Sequence, residues 1–319
     1  MKTTLKITAF AAALAASFGA AYGVGSAVTP VDPAPAPAAH AAHPPAANPT
    51  KAPGAEGGRD APAGGLQISE GGYTLDLHTP RIAAGHESEL RFSVRDSDGR
   101  PLAAYRREHK KELHLILASR DLRTYRHLHP TRAADGTWSV RSGLPAAGSY
   151  RLFADFTPAA EGAKNLTLGA DLAVSGSYRP APLPAASGVA EVDGYTVTLD
   201  GGLRPGVAGE LKLSVSRGGR PVTDLEPYLG AYGHLVALRA GDLAYLHVHP
   251  GGAPGDGETR PGPDVTFGAT APSAGAYRLF LDFKHEGVVR TAAFTLTTSG
   301  AADGKDSATD GRTDGHSHP

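Results

Sequence analysis

The sequence predicts an all-β protein made of two tandem immunoglobulin-like β-sandwich domains behind an N-terminal export or anchor segment. A long internal repeat is the first observation behind this. Residues 66–176 return as residues 189–300, with GGYTLDL matching DGYTVTL, GHESELRFSV matching GVAGELKLSV, and PAAGSYRLFADF matching PSAGAYRLFLDF. The second observation is that each copy offers about seven short β-rich runs separated by Gly, Pro and Asp turns, the strand count of an immunoglobulin-like sandwich. The third is that no helical periodicity interrupts these runs.

In chain order, residues 1–28 carry Lys2 and Lys6 and then an uncharged Ala/Gly/Phe-rich run from Ile7 to Val28. This reads as a signal peptide, with Gly25-Ser26-Ala27 as a small-residue cleavage site, or as a membrane anchor, since the run is long enough to span a bilayer. Basic residues precede the run and the next is Lys51. That asymmetry puts the remainder on the extracytoplasmic side, secreted or held at the plasma membrane by the N-terminal segment. Residues 29–65 form a Pro/Ala-rich linker containing His40 and His43, with too little apolar bulk to offset the entropy of ordering. Residues 177–188 link the two repeats, and 301–319 form a polar tail ending in His316-Ser317-His318-Pro319.

The net charge of −1, from 31 basic and 32 acidic residues, offers no basic stripe and excludes nucleic acid as a partner. The absence of cysteine excludes disulfides, thiolate metal sites and lipidated cysteine, and with Met1 as the only methionine there are no thioether ligands either.

The first repeat predicts strands over Tyr73–His78, Ser88–Arg95, Leu113–Ala118, Arg123–Leu128, Thr137–Arg141, Ser149–Phe156 and Leu166–Val174. Tyr150 and Tyr277 follow a Gly-x step into the sixth strand, the position of the tyrosine corner in such sandwiches. Alternation along that strand sends Tyr150, Leu152, Ala154 and Phe156 inward and Phe153 and Asp155 to the other face. Asp282 takes the place of Asp155 in the second repeat. A carboxylate there either completes a metal site or pairs with a neighbouring arginine, and the ion pair is the expectation.

The chemistry-bearing pattern is H-L-x11-H-x-H-P, which occurs as HLILASRDLRTYRHLHP at His114–Pro130 and as HLVALRAGDLAYLHVHP at His234–Pro250. A β-hairpin with Arg120-Asp121 at its tip, or Ala240-Gly241 in the second copy, places His114 opposite His127 and His234 opposite His247. His129 and His249 fall two residues on, on the same face. Each hairpin then gathers three imidazoles, a ligand set suited to Cu(II) or Zn(II). The expected sites are His234, His247 and His249 in the second domain and a weaker one of His114, His127 and His129 in the first. Leu113, Leu115, Leu117, Leu235, Leu246 and Val248 are core positions.

The function predicted is non-enzymatic metal sequestration or handling, with an envelope metal-transport protein as a possible partner. The alternative is an envelope interaction module whose histidines are structural. A third reading, a cupin-like metal-dependent oxidoreductase, rests on Gly241-x5-His247-x-His249 alone, since residues 253 and 254 are Ala and Pro where a glutamate is needed. No nucleophile elbow or H-E-x-x-H pattern occurs. Imidazole binds metal only when neutral and has an unperturbed pKa of about 6.5, so a three-histidine site should lose metal steeply between about pH 7 and pH 5, and binding that stayed level down to about pH 5 would count against it.

The segment P-Y-L-G-x-x-G-H-L-V at Pro227–Val236, followed by Y-L-H-V-H-P at Tyr245–Pro250, resembles a group of actinobacterial exported proteins that pair two such β-domains. The resemblance covers residues 66–300 and implies extracytoplasmic metal binding, loosely heavy-metal or copper handling, without naming the ion. It is fuller in the second repeat, because Arg107–Glu112 replaces Pro227–Tyr232 in the first.

Overall fold

The computed structural model describes residues 63–246 and 248–298. The expected export segment, the linker up to residue 62, His247 and the C-terminal tail lie outside the described residues. All the described elements are strands, and among the described residues no helix is long and apolar enough to cross a membrane.

The first sandwich comprises β1 (Ser69–Glu70), β2 (Tyr73–Leu77), β3 (Arg81–Ala83), β4 (Glu87–Arg95), β5 (Tyr105–Arg106), β6 (Leu113–Ser119), β7 (Tyr125–Leu128), β8 (Thr131–Arg132), β9 (Trp138–Gly143), β10 (Gly148–Pro158) and β11 (Leu166–Ser175). One sheet runs β1-β2-β4-β9-β8; the facing sheet runs β3-β11-β10-β6-β7, with β5 added beside β10. The second sandwich comprises β12 (Val189–Val192), β13 (Tyr195–Gly201), β14 (Gly209–Arg217), β15 (Arg220–Pro221), β16 (Gly233–Arg239), β17 (Tyr245–Leu246), β18 (Val248–Pro250), β19 (Asp264–Ala269), β20 (Gly275–His285) and β21 (Val288–Thr298). Its sheets are β12-β13-β14-β19-β18, with β15 beside β14, and β17-β16-β20-β21.

Both tyrosine corners form. The Tyr150 hydroxyl donates to Ala146 O at 2.9 Å and the Tyr277 hydroxyl to Ser273 O at 2.7 Å, so each buried phenol ties the start of its strand to the preceding loop. Alternation then fills each interior. Leu113, Leu115 and Leu117 meet Leu152, Ala154 and Phe156 in one core, and Leu235 and Ala237 meet Leu279 and Leu281 in the other.

The residues between these are buried too, and they build a third apolar core. Ile116, Ala118, Tyr125 and Phe153 of the first sandwich pack against Val236, Leu238, Leu243 and Phe280 of the second. Each fully buried large side chain there contributes on the order of 1.5–3 kcal/mol. The packing is pseudo-twofold: Tyr125 stacks on Phe280 with ring centres 4.1 Å apart, and its counterpart Tyr245 lies against Phe153 at 5.6 Å.

The end of the Pro/Ala-rich linker is part of this seam. Tyr245 N donates to Gly64 O at 2.9 Å and Arg151 Nε to Gly65 O at 2.6 Å, so the first sandwich's bonding takes in residues before 66. Gly65 has φ of 74°, and a Cβ there would lie 2.4 Å from the Phe153 ring, so both the backbone and the space require glycine.

Candidate metal centre

The hairpin that carries the first histidine group is longer at its tip than a two-residue turn. Leu115 faces Leu128 and Ala118 faces Tyr125, and the Ser119 N–H closes on Thr124 O at 2.9 Å. Arg120–Arg123 therefore form a four-residue loop, with Leu122 at φ of 56°. Asp121 shapes it by accepting from Ser119 Oγ at 2.6 Å and from Arg123 N at 3.2 Å, an Asx-type turn. This corrects the expected register: continued past Leu128, the ladder sets His114 opposite His129, and His127 faces Ile116. A shift of two residues along one strand preserves the face of every side chain. The three imidazoles therefore still converge.

One nitrogen from each of His114, His127 and His129 lies within 4.8 Å of the others. The ring centres are 5.3, 5.3 and 4.8 Å apart. An ion bound tetrahedrally by imidazole nitrogens at 2.0–2.1 Å requires ring centres about 5 Å apart. The spacing already matches.

The protons sharpen the geometry. His114 Nε2 lies 3.2 Å from Glu108 O, and His127 Nδ1 lies 2.8 Å from Asp282 Oδ2. A carbonyl and a carboxylate only accept, so both of these outer nitrogens carry hydrogen. In the neutral rings the inner His114 Nδ1 and His127 Nε2 are then bare lone pairs, and they face each other at 3.1 Å. His129 Nε2 is buried beside them with no hydrogen-bond partner among the described residues. Burial, reinforced by the neighbouring His127, pushes the His114 and His129 pKa values down to about 3. Burial also takes His234 down to about 4, with the Tyr228 carbonyl working the other way. These three rings are neutral at ordinary pH.

The second sandwich supplies the rest of the surroundings. Among the described residues Asp282 makes no ion pair with arginine, contrary to expectation. Its carboxylate accepts from His127 across the seam and from Thr291 Oγ1 at 2.5 Å, and the His127 and Asp282 side chains are 6% and 3% exposed. His234 Nε2–H donates to Tyr228 O at 2.8 Å. Its ring lies 6.3 Å from that of His114 and 6.0 Å from that of His127.

A separate trio of His234, His247 and His249 on the second hairpin is not what the described residues form. His247 lies outside them. After β17 ends at Leu246 the chain crosses to the opposing sheet, where β18 pairs His249 with Gly268 of β19, while His234 turns to the first sandwich's histidines. His249 lines the same small cavity as His114, His127 and His234, of about 110 Å³. Among the described residues the histidines that cluster are those of the first sandwich, joined at the seam by His234, and the expected second trio turns on His247, which lies outside them.

His109, which sequence reasoning did not single out, also belongs here, 5.0 Å from the His234 ring and 6.2 Å from that of His114. It stands on a tight turn, with His109 at φ of 48° and Lys110 at 65°, that matches Leu229 at 52° and Gly230 at 83° in the second sandwich. In both copies this turn presents the carbonyl, Glu108 O or Tyr228 O, that orients the first histidine of the motif.

A domain of unknown function, DUF8832, matches residues 67–171 and again 190–300. The chain belongs to this family. The family's two segments fall on the two sandwiches. No curated protein matches the chain. Among solved structures the chain is similar to the Escherichia coli adhesin FdeC, at 17% identity and TM-score 0.23 over 73% of this chain and 65% of that one. It is also similar to invasin, a bacterial integrin-binding protein, at 12% identity and TM-score 0.21 over 73% of this chain and 41% of that one. Domains 4–9 of the surface layer protein SbsC match at 13% identity and TM-score 0.21 over 71% of this chain and 31% of that one. The chain thus spans less than two thirds of the length of each of these structures, and likeness at this level bears on neither activity nor partner.

Proposed function

We propose that the protein is an exported metal-binding protein that holds one divalent ion, Cu(II) or Zn(II), through His114, His127 and His129, and sequesters it or passes it on without catalysing a reaction. One observation carries this reading: with both rings neutral, two inner nitrogen lone pairs face each other at 3.1 Å, an arrangement that repels unless a cation, a metal ion or a proton, lies between them. An acceptor on the outer nitrogen of a ligating histidine is the usual second layer of a metal site, and both His114 and His127 have one. The extracytoplasmic setting rests on the uncharged run from Ile7 to Val28 and on the resemblance to exported actinobacterial proteins. That setting makes an envelope metal-transport protein the natural partner.

The test is metal analysis and competition titration of the full chain, purified without an affinity tag, with and without His129→Ala. The reading requires one equivalent of Cu(II) or Zn(II) that the substitution removes, beyond any weak binding by His40, His43, His316 and His318. Because burial holds His114 and His129 neutral, proton competition at these two ligands sets in below the range of about pH 7 to pH 5 that an ordinary imidazole pKa would give.

A second reading also has an observation behind it. Asp282, 2.8 Å from His127 Nδ1, is placed to hold His127 as an imidazolium, which would donate its other N–H to His114 Nδ1 and close the network without metal. The histidines are then structural cement and the protein an envelope interaction module. In that case the tagless protein carries no stoichiometric metal, and His129→Ala leaves metal content unchanged.

A further inference from the structure

We infer that the second sandwich completes the metal site, with His234 as a fourth imidazole ligand and Asp282 as the carboxylate that orients His127, so that one divalent ion ties the two sandwiches together. The inference rests on the metal-binding reading of the trio.

His234 and His114 are presented in the same pose from opposite sides of the seam. Each lies at the start of an equivalent strand, β16 or β6, and each directs Nε2–H to the carbonyl of an equivalent tight turn, Tyr228 O or Glu108 O. That hydrogen bond leaves His234 Nδ1 as a lone pair, just as it leaves His114 Nδ1. The His234 ring centre is 6.0 Å from His127 and 6.3 Å from His114, against 4.8–5.3 Å within the trio. About 1 Å of closure would bring it to the spacing that a tetrahedral ion imposes.

The second contribution is indirect. Asp282 is 2% exposed and belongs to β20, yet its Oδ2 serves His127 of the first sandwich, while its Oδ1 is fixed by Thr291. A buried carboxylate aligned on a ligating imidazole fixes the tautomer and raises the basicity of the ligand nitrogen. Four imidazoles with no thiolate suit tetrahedral Zn(II) or tetragonal Cu(II). His109, 5.0 Å from the His234 ring and 6.2 Å from that of His114, borders the same space and is a competitor for the fourth position.

The experiment compares Zn(II) and Cu(II) affinities by competition titration in the full chain for wild type, His129→Ala, His234→Ala, His109→Ala and Asp282→Asn, with His78→Gln as a control in the first sandwich. The inference requires His234→Ala to weaken binding at least about tenfold and Asp282→Asn to weaken it about 10–100-fold. The electron paramagnetic resonance spectrum of the Cu(II) form should also lose one coordinated nitrogen in His234→Ala. If both variants bind as wild type while His129→Ala does not bind, the site is confined to the first sandwich: the inference is overturned and the proposed function stands. Loss of the fourth nitrogen in His109→Ala rather than His234→Ala overturns it equally. If wild type binds nothing, both fall. Should His234→Ala fail to fold, hydrogen exchange on the wild type decides: metal must slow exchange in β16 and β20 as well as in β6 and β7, and protection limited to β6 and β7 rejects the bridge.

Discussion

The two histidine hairpins share a pattern but not a fate. In the first, β7 stays with β6 through Leu128 and crosses to the other sheet only at Thr131, so His127 and His129 remain beside His114. In the second, Val248, which aligns with Leu128, is already paired with β19, and His249 goes with it. A crossing that comes three residues earlier in the repeat gives His249 a different neighbouring strand from His129, although it still lines the cavity that holds His114, His127 and His234. Spacing specifies which face a side chain occupies; the partner strand decides which side chains meet.

The largest effect that can test this contrast is acid destabilisation of the metal-free protein. His114 and His129 have pKa values of about 3 and His234 about 4, all below the unfolded value of about 6.5. The unfolded chain therefore binds more protons between about pH 6.5 and pH 4, and stability rises with pH across that window. It is complete above about pH 6.5 and is lost as the pH falls towards the folded values. Each group contributes up to about 1.4 kcal/mol per pH unit, about 4 kcal/mol for three. Urea unfolding in a chelator from pH 8 to pH 4.5 should show this slope, reduced by about two thirds in a His114→Asn, His129→Asn double variant and by only about one third in His234→Asn. A flat profile would falsify the burial of the cluster.

The seam predicts symmetry where the hairpins predict difference. Phe280→Ala and Phe153→Ala each remove a buried ring that packs against a tyrosine of the other sandwich, and each should cost about 3–5 kcal/mol. Chemical denaturation measures both, and a seam that matters to only one sandwich would show itself as a large inequality.

Metal affinity returns to the contrast between the hairpins. His129→Ala should weaken Zn(II) binding by at least about 100-fold, the upper end of outer-layer effects, while His249→Ala should change it by less than about threefold. Equal losses in the two would mean that the crossing at Val248 does not separate the ligands. The smallest effects are Tyr150→Phe and Tyr277→Phe, each expected to cost about 1 kcal/mol by thermal unfolding for the lost corner hydrogen bond, with Tyr277 also losing long contacts to Ser273 N and Oγ.

Much of this was legible in the sequence because strands have a period of two. The strand runs, the tyrosine corners and the shared face of His114, His127 and His129 all follow from local alternation, and they survive a register error of two residues. The seam was less visible, although its signal is present: LHLILAS and HLVALR lack the polar alternation of a half-buried strand and are the runs of strands covered on both faces. Asp282 was misread because its partner His127 lies 155 residues away, beyond any local pattern. The turn that orients His114 was hidden by dissimilar residues, Arg107–Glu112 against Pro227–Tyr232, whose backbones nevertheless take the same left-handed pair of conformations. Burial, invisible to a pattern of spacings, moved the imidazole titrations several units from their ordinary place.

The exchange of Tyr125 onto Phe280 and Tyr245 onto Phe153 has a consequence for how such a chain can change. In a pair of identical subunits every substitution is made twice, once on each side of the axis, so no position can be improved without altering its mirror image. Fusing the two halves into one chain removes that bond. His109 can stand where the second half has Leu229, and one crossing can move while the other stays. A covalent link between two similar halves leaves each free to differ from the other.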